Sequence, residues 1–456
     1  MTARFSVAMT NVTSSKLTDH LLRMDGQEDI CLALYAPSTG SLRRTAIVNE
    51  VLLPQSGERS VHGNASFSGS YVLRACQKAA RTGQGVMIIH SHPKGRGWQG
   101  MSSQDADAEE SYSRLALQLT GEPLVGMTLA GEGTWSARTW TASESTQADY
   151  VRVVGPSLNV YWNNKQRPIP SSNDRQMRTI SAWGDKTQAD IARLRLLVIG
   201  VGSVGLDVAV RLAAAGARHV GVMDFDVVQE HNLDRMIGST QSDAAIRRLK
   251  IEVAHREMAR AATASSHEFR THNQDVTTVE GQATALDYDI VISCVDRPYP
   301  RAVLNQMAYS DLIPVIDGGI GIDVFSDGAM RGATIRTHTL TAGRPCLVCS
   351  AQIDMSEVTL DKEGLLDDPS YIAAAGQAQR GNQNVALLSI GVTAGLLSQL
   401  VSLVAKPGGR GVSAPLRYSL TTQSLEHLDV KSRPHCPFEA ETGRGDLRVA
   451  LTRPDA

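Results

Sequence analysis

The feature that most restricts the fold is Gly200-Val201-Gly202-Ser203-Val204-Gly205, set between a short apolar run, Arg193–Gly200, and an apolar helical stretch, Val204–Ala215. Glycines at this spacing let a backbone turn tightly and approach a phosphate. The phosphate then sits at the helix N-terminus, where unpaired N–H groups favour an anion. A second apolar run, Val220–Phe225, completes a β-α-β order, and runs at Asp289–Ser293 and Pro314–Gly318 alternate with helical segments. That order predicts an α/β fold with a Rossmann-like, doubly wound, mostly parallel sheet. Alone, the glycine motif fits NAD, FAD or ATP alike.

Residues downstream of the motif narrow the choice. Nineteen residues beyond Gly205 the next strand ends in Asp224-Phe225-Asp226, then come Glu230-His231-Asn232-Leu233-Asp234-Arg235 and Lys250. A dehydrogenase needs only the acidic residue, for the ribose. An enzyme that splits a triphosphate also needs cations against the phosphate charge.

In this combination, residues from about Asp174 to His435 resemble the adenylyltransferases of the ubiquitin-activating family, including the thiamine and molybdopterin-type (ThiF) activators. The resemblance implies that Gly200, Gly202 and Gly205 approach the nucleotide, that Asp224 binds its ribose, and that Asp226 also belongs to the nucleotide site. Asn232, Arg235 and Lys250 would contact phosphates, and Asp296 would sit near Mg²⁺, with Arg301 and Asn305 on the following helix. Asp174-Arg175-Gln176, Gly184 and Gln188 are similar to the family's lead-in. There an arginine reaches a partner's ATP, which makes Arg175 a trans contact and the protein a homodimer. Met236 replaces the family's glutamine, so that contact is absent.

Six cysteines scattered over this length suit metal or thiol chemistry in a reducing cytosol better than disulfides. Cys346-Leu347-Val348-Cys349 looks like the first half of the same family's structural zinc site. The second half reads His435-Cys436-Pro437-Phe438-Glu439, with one cysteine, and His435 is an awkward fourth ligand beside Cys436. Members that pass their cargo on as a thioester keep a cysteine in the intervening loop. Leu360–Asn384 has none, and offers only the hydroxyls of Ser370 and Tyr371. The enzyme then stops at the acyl-adenylate, hands the acyl group to a partner's nucleophile, or forms an oxyester. Cys31, Cys76 and Cys294 read as core packing.

Upstream lies a second constellation. His90-Ser91-His92-Pro93 leaves a short apolar strand, and side chains at i and i+2 point the same way, so both imidazoles can hold one cation. Asp105 offers a third, hard ligand, the three-ligand arrangement of catalytic zinc with one open position. With Ser102 and Glu28 in order, residues 15–145 resemble the JAMM metallopeptidases. The resemblance implies zinc on His90, His92 and Asp105, Ser102 as oxyanion stabiliser and Glu28 as general base, with Glu50 the rival for that role. The loop from His92 to Ser102 is longer than the family's and glycine-rich, and Trp98 in it is a candidate substrate contact.

A polar, proline-bearing stretch separates the two blocks. We place a JAMM domain at 1–150, a linker at 151–172 and an adenylyltransferase domain at 173–456. A net charge of −2 gives no reason to expect nucleic-acid or membrane binding. Val385–Ala405, the most apolar segment, carries seven polar or glycine positions and reads as a buried helix. The resemblances imply activation of a ubiquitin-like protein by ATP, cleavage beyond its C-terminus, and a conjugating-enzyme-like partner. Sulfur-carrier activation and an inactive scaffold are the alternatives.

Overall fold

The computed structural model describes residues 4–62, 64–141, 143–367, 385–412 and 414–452. The chain forms two compact units. One is Met1–Ile169 with the short segments Ser310–Leu312 and Glu441–Val449; the other is Pro170–Tyr309, Ile313–Ala440 and Ala450–Ala456.

The first unit contains β1 (Arg4–Thr10), α1 (Asn11–Leu21), β2 (Ile30–Thr39), β3 (Arg43–Leu52), β4 (Arg59–His62), β5 (Asn64–Phe67) and α2 (Gly69–Thr82). Then come β6 (Gly85–His92), α3 (Ser103–Thr120), β7 (Leu124–Ala130), β8 (Trp135–Thr141), β9 (Glu144–Gln147), β10 (Tyr150–Val154) and β11 (Leu158–Trp162). Nine of these strands make one mixed sheet in the order β11-β10-β1-β3-β2-β6-β7-β8-β9. Strand β2 is buried on both faces, and period-two alternation sorts its residues. Cys31, Ala33 and Tyr35 join the core that includes Leu17 and Leu21 of α1. Ile30, Leu32 and Leu34 join Tyr71, Val72 and Ala75 of α2 on the other side.

The stretch expected as a linker opens differently. Tyr150-Val151-Arg152-Val153-Val154 is a wholly buried strand parallel to β1. Arg152 masks its apolar character, yet the guanidinium is buried and donates to the Asp311 carbonyl at 3.1 Å. Sheet residues therefore continue to Trp162.

The second unit contains α4 (Met177–Arg193), β12 (Arg195–Ile199), α5 (Ser203–Ala214), β13 (His219–Met223), α6 (Gln241–Ala245), α7 (Lys250–Ala261), β14 (Glu268–His272), α8 (Val279–Ala285), β15 (Ile290–Ser293) and α9 (Pro298–Ser310). Next are β16 (Val315–Val324), β17 (Met330–Leu340), α10 (Met355–Lys362), α11 (Ala386–Ala405), β18 (Leu416–Ser419), β19 (Ser424–His427) and α12 (Pro437–Ala440). The sheet order is β14-β13-β12-β15-β16-β17-β18-β19. The first five strands are parallel and the last three antiparallel, the doubly wound pattern with an antiparallel edge. Helix α11 is long and apolar enough to cross a membrane. Here it lies along β16 and β17: Gly391 and Gly395 admit Ile335 and Thr337, and Gln399 accepts from the Thr339 hydroxyl at 2.8 Å.

Candidate functional site

The glycine loop sits where strand β12 turns into α5. Gly200 has φ +86°, a conformation glycine adopts without strain, and a Cβ there would press on the Cys294 carbonyl. A Cβ at Gly205 would collide with the Gly200 carbonyl oxygen, whereas Gly202 faces open space. The loop is thus closed by its own backbone on one side and open on the other. At the end of β13, Asp224 accepts from the Val201 N–H at 2.6 Å, fixing the acidic residue beside the loop. Burial lifts its carboxyl above the usual range, against the pull of Lys250. Asp226 is exposed and holds Lys250 Nζ at 2.7 Å. Asn232 is buried and accepts from Gln229 N, and Arg235 pairs with Asp234 at 2.9 Å.

Other expected residues fall elsewhere. Asp296 is exposed just beyond β15. Arg301 lies on the following helix, as expected, where its guanidinium grips buried Asp317 (Nε at 3.1 Å) and donates to the Gln352 carbonyl at 3.0 Å. Asn305 accepts from Leu347 N at 3.0 Å and so holds the cysteine loop. Arg175 lies exposed in a short turn before α4, while Gln188 donates to the Ala215 carbonyl at 2.9 Å. Ser370 and Tyr371 lie outside the described residues.

The cysteines converge. Cys346, Cys349, Cys436 and Glu439 bring one donor atom each within 4.8 Å of one another. Cys346 and Cys436 sulfurs are 3.5 Å apart, and Cys349 Sγ is 3.8 Å from Glu439 Oε1. Soft thiolates with a hard oxygen fit zinc. His435 is exposed, has φ +60°, and is not among the four. Cys31 and Cys76 are buried, and Cys294 is half-buried beside the glycine loop.

In the first unit His90, His92 and Asp105 converge in the same way. The two Nε2 atoms are 3.1 Å apart and each is 3.7 Å from Asp105 Oδ2. The edges of a tetrahedron of zinc ligands at usual N and O distances are about 3.3 Å, so the donor set fits that ion. Register explains the convergence: Ile30 pairs antiparallel with His90, which carries Glu28 back toward His92. Ser91 N donates to Asp29 O, and Asp29 N to Ser91 Oγ, each at 3.0 Å. The Asp29 carboxylate is itself gripped by Arg59 at 2.7 Å.

Burial raises the Glu28 carboxyl, with His92 opposing and Asp105 adding. Glu50 is instead tied to Lys78 at 2.5 Å. Burial, aided by Arg138, lowers the His90 imidazole to about 3 and keeps it neutral. Burial alone would raise Asp105, but hydrogen bonds from His92 and Ser102 and the nearby His90 bring it below the carboxylate range. Ser102 is exposed and is the N-cap of α3, accepting from Asp105 N while donating to its carboxylate at 2.8 Å. Sequence reasoning missed Gln99, whose Oε1 lies 3.2 Å from His92 Nδ1 and so orients the ring from its far side. Trp98 is half-buried against the core and donates to Gln147 at 3.2 Å.

The parallel sheet, the glycine loop and the acidic pair after it define a nucleotide-binding domain. The ThiF family model matches residues 173–437, and the chain belongs to that family. It is 30% identical over 148 residues to the adenylyltransferase and sulfurtransferase UBA4 of Meyerozyma guilliermondii, spanning 32% of this chain and 33% of that one. It is 28% identical over 161 residues to the molybdopterin-synthase adenylyltransferase of Escherichia coli, spanning 35% and 59%. The chain thus spans about a third of the UBA4 relative's length. A crystal structure of E. coli MccB with MccA-N7isoASN aligns over 59% of this chain and 75% of that one, at 15% identity and a TM-score of 0.46.

Proposed function

We propose that the chain adenylates the C-terminal carboxylate of a ubiquitin-like protein, and that its first unit hydrolyses the peptide or isopeptide bond beyond such a C-terminus. The observation that carries the second activity is the convergence of two imidazoles and a carboxylate beside the raised Glu28.

For adenylation, the loop N–H groups at Gly200–Gly205 and the start of α5 receive phosphate, and Asp224 meets the ribose. Lys250 leaves Asp226 for the phosphates, with Arg235 and Asn232. Asp296 would hold Mg²⁺. A carboxylate oxygen attacks the α-phosphorus, pyrophosphate leaves, and an acyl-adenylate forms. Arg175 serves the partner's nucleotide in a homodimer. With no cysteine between Cys349 and Cys436, the adenylate passes to a nucleophile on a conjugating-enzyme-like partner.

In the peptidase, His90, His92 and Asp105 would hold zinc, which would supply Lewis acidity and activate a water. Glu28 takes the water's proton and returns it to the departing amine. Its raised affinity for protons suits that traffic. Ser102, at the rim, donates to the oxyanion.

A second reading is sulfur-carrier activation, which the sulfurtransferase names of the matched relatives favour. Pyrophosphate exchange with candidate carriers, followed by mass spectrometry, separates the two. A modifier–target adduct supports the first reading and a thiocarboxylate the second. His92→Ala should abolish cleavage and leave exchange intact. Cleavage that survives in that variant removes the peptidase claim.

A further inference from the structure

We infer that Glu439 is the fourth ligand of a Cys₃Glu zinc site formed with Cys346, Cys349 and Cys436. Three observations converge on it. The first is spacing. Glu439 comes three residues after Cys436, within and just before α12, and Cys349 comes three after Cys346. Each pair therefore presents two donors from one turn of backbone, and the carboxylate stands where a second thiol would complete a Cys-x-x-Cys pair.

The second is distance. With zinc–sulfur bonds near 2.3 Å, the sulfur–sulfur edge of a tetrahedron is about 3.8 Å and the sulfur–oxygen edge about 3.6 Å. The edges here are 3.5 Å for Cys346–Cys436 and 3.8 Å for Cys349–Glu439. The exposed His435 is not within reach of the cluster.

The third is the direction of backbone N–H groups. Cys349 N donates to Cys346 Sγ at 3.3 Å, and Arg433 N donates to Cys349 Sγ at 3.2 Å. The N–H groups of Glu439 and Phe438 are aimed at Cys436. Every sulfur thus receives donors suited to a thiolate, the form that binds metal. Buried anions this close require a cation between them. The loop bearing Cys346 and Cys349 is held independently, by Asn305 on Leu347 and by the Tyr309 hydroxyl on the Arg344 carbonyl at 2.9 Å. The donors are therefore brought together by the fold itself, with no ion needed to gather them.

The test is metal content of the full chain in a His92→Ala background, so that the first unit's cluster contributes nothing. One zinc per chain is expected there, and His435→Ala should leave it unchanged. Glu439→Ala should weaken zinc in chelator competition by more than the roughly 10–100-fold that loss of an outer-shell partner costs. Glu439→Cys should restore it. Cobalt substitution covers the case where Glu439→Ala does not fold: from three sulfurs to four, Glu439→Cys should raise the sulfur-to-cobalt charge-transfer intensity by about a third. Unchanged affinity in Glu439→Ala, loss of zinc in His435→Ala, or an unchanged cobalt band in Glu439→Cys would overturn the assignment.

Discussion

Glu109 lies one helical turn beyond Asp105, and its carboxylate is clamped by Arg138. Arg138 Nε donates to Glu109 Oε2 at 2.7 Å, its other end donates to Thr128 Oγ1 at 2.9 Å, and Trp140 Nε1 adds a bond to Glu109 at 2.7 Å. Both charged side chains are almost wholly buried, and Gly126 leaves the room that the carboxylate fills. The pair pins α3, and with it Asp105, to the sheet that carries His90.

Removing one partner leaves a buried charge uncompensated, which typically costs about 3–5 kcal/mol. Glu109→Ala should therefore lower the stability of the first unit by that amount in urea unfolding. Replacing both, as Glu109→Gln with Arg138→Met, should cost markedly less. Equal losses in the single and the double variant would contradict this account of the pair.

Gln99 offers a subtler lever. It touches no third ligand, yet its carbonyl orients the His92 ring, while its own amide donates to Arg96 O and Gly97 O at 2.7 and 3.0 Å. Such outer partners typically contribute 10–100-fold to metal affinity. Gln99→Ala should weaken zinc at His90/His92/Asp105 by about that factor without lowering the melting temperature, as read by chelator competition and calorimetry. Unchanged affinity would assign Gln99 to loop packing alone.

The parts of this molecule legible in the sequence are those set by short-range spacing. The glycine loop, the His-x-His strand and the cysteine pair each arise from residues within one turn or one strand, where backbone geometry leaves little choice. What escaped depended on partners far along the chain or on a mismatch with expectation. Strand β10 was hidden because Arg152 interrupts its apolar run, and acceptors such as the Asp311 carbonyl, 159 residues away, make that burial tolerable. Arg301 and Asn305 follow Asp296 on the next helix as the sequence suggests; what the sequence does not mark is that the fold turns them toward Asp317 and the cysteine loop. Glu439 is inconspicuous because a thiol is the expected donor at its position. Gln99 sits in a glycine-rich loop with no periodicity to mark it.

The pH dependence of the second unit should carry the signature of His272. Burial, with Arg270 and Arg195 adding, holds its imidazole at about 4, and Nε2 lies 2.6 Å from the Tyr288 hydroxyl. In the unfolded chain the ring titrates near 6.5. Between those values the unfolded state binds a proton that the native state refuses, so stability is full above about pH 6.5 and falls as the pH drops toward 4. For a half-buried ring the loss should be about 1–3 kcal/mol once solvent screening is allowed for. Urea midpoints at pH 7 and pH 5 should differ less in His272→Gln than in the native chain. Parallel slopes would exclude this ring as the source.

Gly202 and Gly205 separate nucleotide binding from folding. An added methyl at Gly205 meets the Gly200 carbonyl oxygen, and the backbone must shift to admit it. Overpacking of this kind costs about 1–3 kcal/mol, and it displaces the N–H groups that face phosphate. Gly205→Ala should therefore lose both stability and ATP-dependent pyrophosphate exchange. A methyl added at Gly202 would meet nothing within 4 Å, and the φ of −84° there suits any residue. Gly202→Ala should thus melt within about 0.5 kcal/mol of the native chain, the usual range for a substitution that meets no neighbour. If the nucleotide's phosphate occupies the open side of the loop, exchange in Gly202→Ala should nonetheless drop, with the Michaelis constant for ATP rising more than turnover falls. A Gly202→Ala enzyme with native ATP kinetics would place the phosphate elsewhere.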